Sequence, residues 1–211
     1  MIEDGVNGFS EEFKIGSRPK ILNLDGDAFS NGQVTSKLWM CEIIEREFAS
    51  SSALHLCVLG CWYALLPFLL LSRGQVRLSS LSLYDLDQQA LMGARGLLEN
   101  WICCGLPISF QKGDCNELTV TEWLSRSPDL VVNSSCEHLT SHKWIENLPP
   151  GTRVLLQSTN MKHWTHVLSP SSLSDFEGQL GNGFQWLWKG EKLFSYPDQS
   201  FSRYTLFGVR R

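Results

Sequence analysis

From Leu54 onward, short apolar runs alternate with segments of helical spacing, and each run ends in a polar or glycine-bearing turn. The first run, LHLCVL over 54–59, turns at Gly60 and leads into an apolar segment, Trp62–Leu71, that reads as a buried helix. LSLY (81–84) runs into Asp85 and Asp87 and then a helix over Gln88–Cys103, whose Leu91, Ala94, Leu98 and Trp101 mark one apolar face. Ile108–Gln111 precedes Lys112-Gly113-Asp114 and a helix around Thr119–Ser127. DLVVN (129–133) ends in Ser134-Ser135-Cys136, and a helix through Trp144 and Ile145 follows until Pro149-Pro150-Gly151 stops it. TRVLLQS (152–158) is a fifth strand.

The unbroken apolar runs LVV and VLLQ suit strands buried on both faces, and five strands alternating with helices predict a mostly parallel sheet. The tail breaks that alternation. Phe184–Trp188 and Tyr204–Val209 are strand-like and joined by a polar, Pro-containing stretch, which predicts an antiparallel pair at the sheet edge. The expected architecture is α/β: a doubly wound, mostly parallel seven-stranded sheet with an antiparallel C-terminal hairpin. Ahead of it, Val34–Phe48 reads as a helix with Leu38, Cys41, Ile44 and Phe48 near one face and Thr35 or Ser36 as N-cap. The Gly-rich, polar start reads as a loosely ordered arm. The division expected is an arm over 1–32, a helix over 33–50 and the sheet domain over 51–211.

Composition removes several alternatives. Of 211 residues 43% are apolar and eight are Trp, which argues against disorder. A net charge of −4 without a basic run leaves no extended nucleic-acid footprint. The opening segment is polar and acidic, unlike a signal peptide. No residue from Phe48 to Ser72 is charged, which raises a membrane span; His55, Gly60 and Pro67 interrupt the stretch, which divides more naturally into strand and buried helix, so no membrane segment is expected. Seven cysteines, odd in number and without a CxxC pair, predict neither a disulfide framework nor a zinc ribbon, and a reducing compartment.

In open sheets of this kind ligands gather at the carboxyl ends of the strands. Gly60-Cys61-Trp62-Tyr63-Ala64 follows the first strand; its glycine lets backbone approach a ligand, and the next helix aims N–H groups at it. Asp85 ends the second strand, where a carboxylate can accept both hydroxyls of a ribose. Read as a solvent-facing strand-end group, it should contribute little to stability. Asp114 follows the third strand and can bind an adenine amino group, and Asn133 through His138 follow the fourth. Together these residues describe a site for an adenosine-containing cofactor. Plainer readings exist beside it: Asp85 and Asp87 as helix-start acids, Asp114 as a turn residue, Glu137 capping backbone N–H groups and His138 packing. Cys136 and His138 suggest a thiolate pair, though residues so close in sequence rarely bring side chains together. His163 and His166 with His138 suggest a metal, but no further carboxylate or Cys cluster accompanies them, so no metal site is expected.

On these residues the chain, from about Ala53 onward, resembles the class I S-adenosylmethionine-dependent methyltransferases. The resemblance rests on VLGCWYA for the glycine-rich first loop, LYDLD for the ribose-binding acid, KGDCNEL for the adenine-side Asp, DLVVNSSCEHL for the fourth strand and its loop, and SRYTLFGVRR for the last strand. More narrowly, NGQVTSKLWMCE, NSSCEH and LLQSTNMKHWTHV are similar to small methyltransferase-like proteins of uncharacterised role from bacteria and their phages. The resemblance implies a Rossmann-like methyltransferase fold with S-adenosylmethionine (SAM) as cofactor. Gly60 and Trp62 would line the methionine side, Asp85 the ribose and Asp114 the adenine; Asn133, Glu137 and His138 would be the catalytic residues facing an unidentified methyl acceptor. It further implies a cytoplasmic location, or a virion-associated one for a phage-encoded chain.

Two departures stand out. Trp62 and Ala64 occupy positions where later glycines are expected, and a Trp there either covers the cofactor or fills its site. Asn133 is followed by Ser134, Ser135 and Cys136 rather than by two prolines and an aromatic, which does not support methylation of a base amino group. The alternatives are a non-catalytic structural or assembly role for the fold, and transfer of the cofactor's aminocarboxypropyl arm.

Overall fold

The central strands of the sheet sort their side chains into two cores. In the first strand Leu54, Leu56 and Val58 belong to one cluster, and Cys57 and Leu59 to the other. In the fourth, Leu130 and Val132 oppose Val131; in the fifth, Leu155 opposes Val154 and Leu156. That period of two, apolar on both sides, is what a strand covered on both faces requires.

The computed structural model describes residues 24–196 and 199–211. In chain order the elements are α1 (Asn31–Phe48), β1 (Leu54–Leu59), α2 (Leu65–Arg73), β2 (Leu78–Asp85), α3 (Gln88–Leu97), α4 (Glu99–Cys103), β3 (Ile108–Lys112), α5 (Val120–Arg126), β4 (Leu130–Asn133), β5 (Arg153–Thr159), α6 (Leu173–Gln179), β6 (Phe184–Ser195) and β7 (Ser200–Arg210). Met40, Cys41 and Ile44 of α1, Leu70 of α2 and Leu91 and Ala94 of α3 cover one face; Trp123 of α5, Trp144 and Phe176 of α6 cover the other.

The sheet runs β3-β2-β1-β4-β5-β7-β6. The five strands β3, β2, β1, β4 and β5 are parallel, and β7 is antiparallel to β5 and β6. The expected α/β architecture, seven strands with an antiparallel C-terminal pair, is the observed one. The order reverses between β1 and β4, where Leu59 pairs with Asn133. Chains leaving these two strands diverge, opening a crevice at their carboxyl ends.

Several local expectations need correction. Helix α1 starts at Asn31, capped by Ser30, whose Oγ accepts from Gln33 N at 3.4 Å; Thr35 and Ser36 lie inside the helix. The expected arm falls for residues 1–23 outside the described residues, while 26–29 form a 3-10 turn. Helix α2 begins at Leu65, not Trp62, because Trp62 and Ala64 take left-handed backbone. The helix expected over 88–103 is two, separated at Leu98 (φ −98°, ψ 6°). Gly93 and Gly96 in α3 lower its persistence. Trp144 and Ile145 sit in a 3-10 turn over Lys143–Ile145 instead of a helix, with polar Thr140-Ser141-His142 before it and two prolines close behind. The charge-free stretch at 54–71 is β1 and most of α2, and no helix among the described residues is long and apolar enough to cross a membrane.

Candidate functional site

A cavity of about 830 Å³ opens over the β1/β4 crevice, and all seven residues singled out from the sequence line it: Gly60, Trp62, Asp85, Asp114, Asn133, Glu137 and His138. Its size falls in the range of small-molecule sites, roughly 300–1,000 Å³.

The floor is the loop after β1. Gly60, Trp62 and Ala64 have φ of 59°, 49° and 58°, so every second residue of this turn is left-handed. Glycine adopts that region freely, whereas a residue with a Cβ pays roughly 1–2 kcal/mol. Trp62 and Ala64 thus keep the backbone path of a glycine-rich loop without its glycines. The loop is tied to the end of β2: Trp62 N–H donates to Asp85 Oδ2 at 2.7 Å, and Cys61 N–H to the Tyr84 carbonyl at 2.9 Å. The indole tilts against Tyr63, with ring centroids 5.4 Å apart. The cavity stays open with Trp62 in place.

Asp85 is not the free strand-end carboxylate expected. Its Oδ1 also accepts from Asp87 N at 2.9 Å, so two backbone N–H groups depend on it. Burial raises its pKa above the ordinary value, against the pull of those two bonds. Each oxygen keeps a lone pair for a further donor. Asp87 caps α3 by accepting from Gln89 N at 2.7 Å. Leu86, between them, lines the cavity while 64% exposed. Asp114 Oδ1 accepts from Asn116 N and Nδ2, holding the turn after β3.

The opposite wall follows β4. Asn133 is fully buried; its Oδ1 accepts from Ser135 N at 2.9 Å, and Nδ2 has no partner among the described residues. Glu137 is buried, with Oε1 3.9 Å from Arg203 Nη1 and Oε2 unpartnered among the described residues. Such atoms are costly unless something enters the cavity to meet them. His138 is exposed at the mouth, where lost hydration lowers its imidazole pKa, with Glu137 opposing and His166 reinforcing the shift. Cys136 is no nucleophile here: its Sγ lies in the core and donates to the Asn133 carbonyl, and burial pushes its pKa well up.

Four wall residues were not proposed from the sequence as catalytic or binding residues. Lys37 enters from α1, buried, with Nζ 3.4 Å from the Ser134 carbonyl; burial, reinforced by Arg203, lowers its pKa to about 7. Its neighbour Ser36 donates to Gln157 Oε1 at 2.7 Å, and Gln157 Nε2 donates to Thr205 Oγ1, which ties α1 to β5 and β7. The signal was a Ser-Lys pair one turn before Met40 and Cys41 on the buried side of α1. Arg203 comes from β7, with its guanidinium 5.7 and 5.9 Å from the Phe194 and Phe201 rings. His163 and His166 lie on the loop after β5, and His166 meets His138 with ring centroids 4.7 Å apart. The carboxylate that the sequence did not place beside these histidines is Glu137.

No protein-family model matches the chain, and no curated protein matches it in sequence. Solved structures do match in fold. Magnesium protoporphyrin IX methyltransferase (ChlM) from Synechocystis PCC 6803 with bound SAM superposes at a TM-score of 0.63 and 14% identity, over 93% of this chain and 86% of that one. N-methyltransferase NodS from Bradyrhizobium japonicum WM9 gives 0.59 at 16% identity, over 82% of this chain and 97% of that one. The Bacillus subtilis tRNA methyltransferase TrmK gives 0.53 at 13%, over 81% and 65%. At these identities the likeness defines the fold: a Rossmann-like sheet shared with SAM-dependent methyltransferases. The relatives' names span a porphyrin, an N-methylation and a tRNA, so the fold does not specify an acceptor.

Proposed function

We propose that the chain is a SAM-dependent methyltransferase acting on an acceptor that enters beside Asn133, Glu137 and His138. The observation that carries this reading is the Asp85–Trp62 link: a strand-end carboxylate with spare lone pairs, fixed against a left-handed loop at the switch point of the sheet. The residues present fit the cofactor. Gly60 and Trp62 would line its methionine part, Asp85 would accept from the ribose hydroxyls, and Asp114 through its second oxygen from the adenine amino group. Leu86 offers the exposed apolar surface that a planar base covers. SAM has bound in the fold relative ChlM, and S-adenosyl-l-homocysteine in NodS.

When bound, SAM supplies a methyl group on a sulfonium, already electrophilic. The chain's own contribution is then alignment and charge. The β1 loop and Asp85 fix one partner, while the Asn133–Glu137–His138 wall holds the acceptor in line and takes charge of its proton. Ser135 N–H donating to Asn133 Oδ1, and Val167 and Leu168 N–H donating to the Glu137 carbonyl, hold that wall before the acceptor arrives. The narrower likeness to bacterial and phage methyltransferase-like proteins, and a cytoplasmic or virion-associated location, belong to this reading and stand on the sequence motifs alone.

Calorimetric titration with SAM tests the proposal. Micromolar binding supports it, and no heat at millimolar cofactor returns the chain to a non-catalytic use of the fold. Product analysis separates the remaining alternative, since methyl transfer leaves S-adenosylhomocysteine and arm transfer leaves methylthioadenosine.

A further inference from the structure

Glu137, His138 and His166 place one ligand atom each within 4.8 Å of one another on the cavity wall. The two imidazoles are turned by the backbone. His138 Nδ1 lies 3.3 Å from the Thr165 carbonyl, and His166 Nδ1 lies 2.7 Å from the Met161 carbonyl. A carbonyl oxygen only accepts, so each Nδ1 bears a hydrogen, and the neutral form of each ring has its Nε2 lone pair free. This is the tautomer that metal-binding histidines adopt when a backbone carbonyl orients them.

The third group is Glu137. Its Oε1 faces Arg203, while Oε2, buried, has no partner among the described residues. The loop that carries the histidine is latched to the same turn, because Val167 and Leu168 N–H both donate to the Glu137 carbonyl, at 2.7 and 3.0 Å. The cluster is therefore held from two sides by main chain before any ion arrives.

We propose that Glu137, His138 and His166 form a site for a divalent transition metal of the zinc class, with an open coordination position facing the cavity. Two imidazole nitrogens and one carboxylate oxygen exclude an all-oxygen preference such as that of magnesium or calcium. Three protein ligands with a vacant fourth position are the arrangement of catalytic rather than structural zinc. The existence of the site is independent of the methyltransferase reading; its role rests on that reading and deepens it. An acceptor hydroxyl or thiol ligates the ion, its O–H or S–H bond breaks, and the proton passes to water at the mouth, so that with metal bound the ion takes over the proton removal otherwise assigned to Glu137 and His138. The bound anion is the methyl acceptor at neutral pH. The acceptor class is thereby narrowed to hydroxyl- or thiol-bearing compounds.

The test uses the full chain with Cys103→Ser and Cys104→Ser, since these two exposed thiols would compete for a soft ion. After chelator treatment, Co²⁺ is titrated by absorption and Zn²⁺ by competition with a chromophoric chelator. One equivalent should bind at micromolar affinity or better, and the cobalt spectrum should lack thiolate charge-transfer bands. His166→Ala and Glu137→Gln should each weaken binding at least tenfold. His163→Ala, whose ring bonds Thr165 Oγ1 instead, should change it less than twofold. Should His166→Ala fail to fold, His166→Gln and His138→Gln give the same reading. Absence of stoichiometric binding, or binding indifferent to these variants, overturns the site. Metal binding without SAM binding keeps the site and removes its acceptor role; SAM binding without metal binding overturns the site and leaves the methyltransferase reading standing.

Discussion

The Trp62 amide donates to the Asp85 carboxylate across 2.7 Å, so one side chain from β2 sets the position of the loop after β1. Asp85 is at once a candidate ligand group and a structural clasp. Asp85→Ala should lower SAM affinity at least tenfold, about 1.4 kcal/mol, in calorimetry. Because it also strands the Trp62 and Asp87 N–H groups, it should cost about 1–3 kcal/mol of stability without cofactor, measured by urea unfolding. Asp87→Ala removes only a helix cap. It should cost about 1 kcal/mol and leave affinity within threefold. Parent-like SAM binding by Asp85→Ala would refute the ribose assignment.

Trp62 gives a separate test of the loop. Trp62→Gly relieves the left-handed backbone cost of roughly 1–2 kcal/mol and loses the contact with Tyr63. Stability should change by less than about 1 kcal/mol, while SAM affinity falls at least fivefold if the indole covers the cofactor. A rise in affinity would show that the indole obstructs it.

Buried Lys37 makes stability depend on pH in a defined direction. In the folded chain it releases its proton near pH 7; unfolded, it holds the proton up to its ordinary value of 10.5. Between these values the unfolded state binds more protons, so this group makes stability rise with pH. Below pH 7 both states are protonated and the burial cost is present in full. Lys37→Met removes that cost, so its stabilising effect should be largest at pH 6 and shrink by roughly 3 kcal/mol by pH 9, at about 1.4 kcal/mol per pH unit. Urea unfolding of both proteins at pH 6, 7.5 and 9 checks it. Parallel curves would mean that Lys37 titrates normally.

Exposed Ser127 closes α5 with φ of 41°, and glycine adopts that conformation without a Cβ penalty. Ser127→Gly should stabilise the chain by about 1 kcal/mol, raising Tm by roughly 2–4 °C in calorimetric scans. No change in cofactor affinity should accompany it, because Ser127 lies away from the carboxyl-end cavity.

What could be read in advance followed from spacing along the chain. Strands such as 54–59 and 130–133 announce themselves through unbroken apolar runs, and in a parallel sheet the residue after each strand must face the ligand side. Gly60, Asp85, Asp114 and Asn133 were placed around one cavity by that rule alone. Lys37 and Arg203 were not, because nothing local distinguishes a buried cation from a solvated one; each is defined by packing against a segment distant in sequence, Lys37 against Ser134 and Arg203 against Glu137. The same applies to His166, which gains meaning only beside Glu137. Helix α6 was missed because it buries only Phe176, leaving no periodic stripe to detect. The Trp144 segment erred the other way: two large apolar residues suggested a helix where a single 3-10 turn suffices to bury them.

The position of β7 bears on how the protein is made. It lies between β5 and β6, so a strand made after both of them is interior to the sheet, and it brings Arg203 to a cavity also lined by Lys37, translated about 165 residues earlier. On the ribosome, β5 and β6 cannot become neighbours in the sheet, and must wait with open edges until these eleven residues emerge. The cavity is therefore completed only once β7 is available, and a nascent chain paused before Ser200 carries two unpaired strand edges, the kind of surface that chaperones shield and that pairs wrongly when crowded.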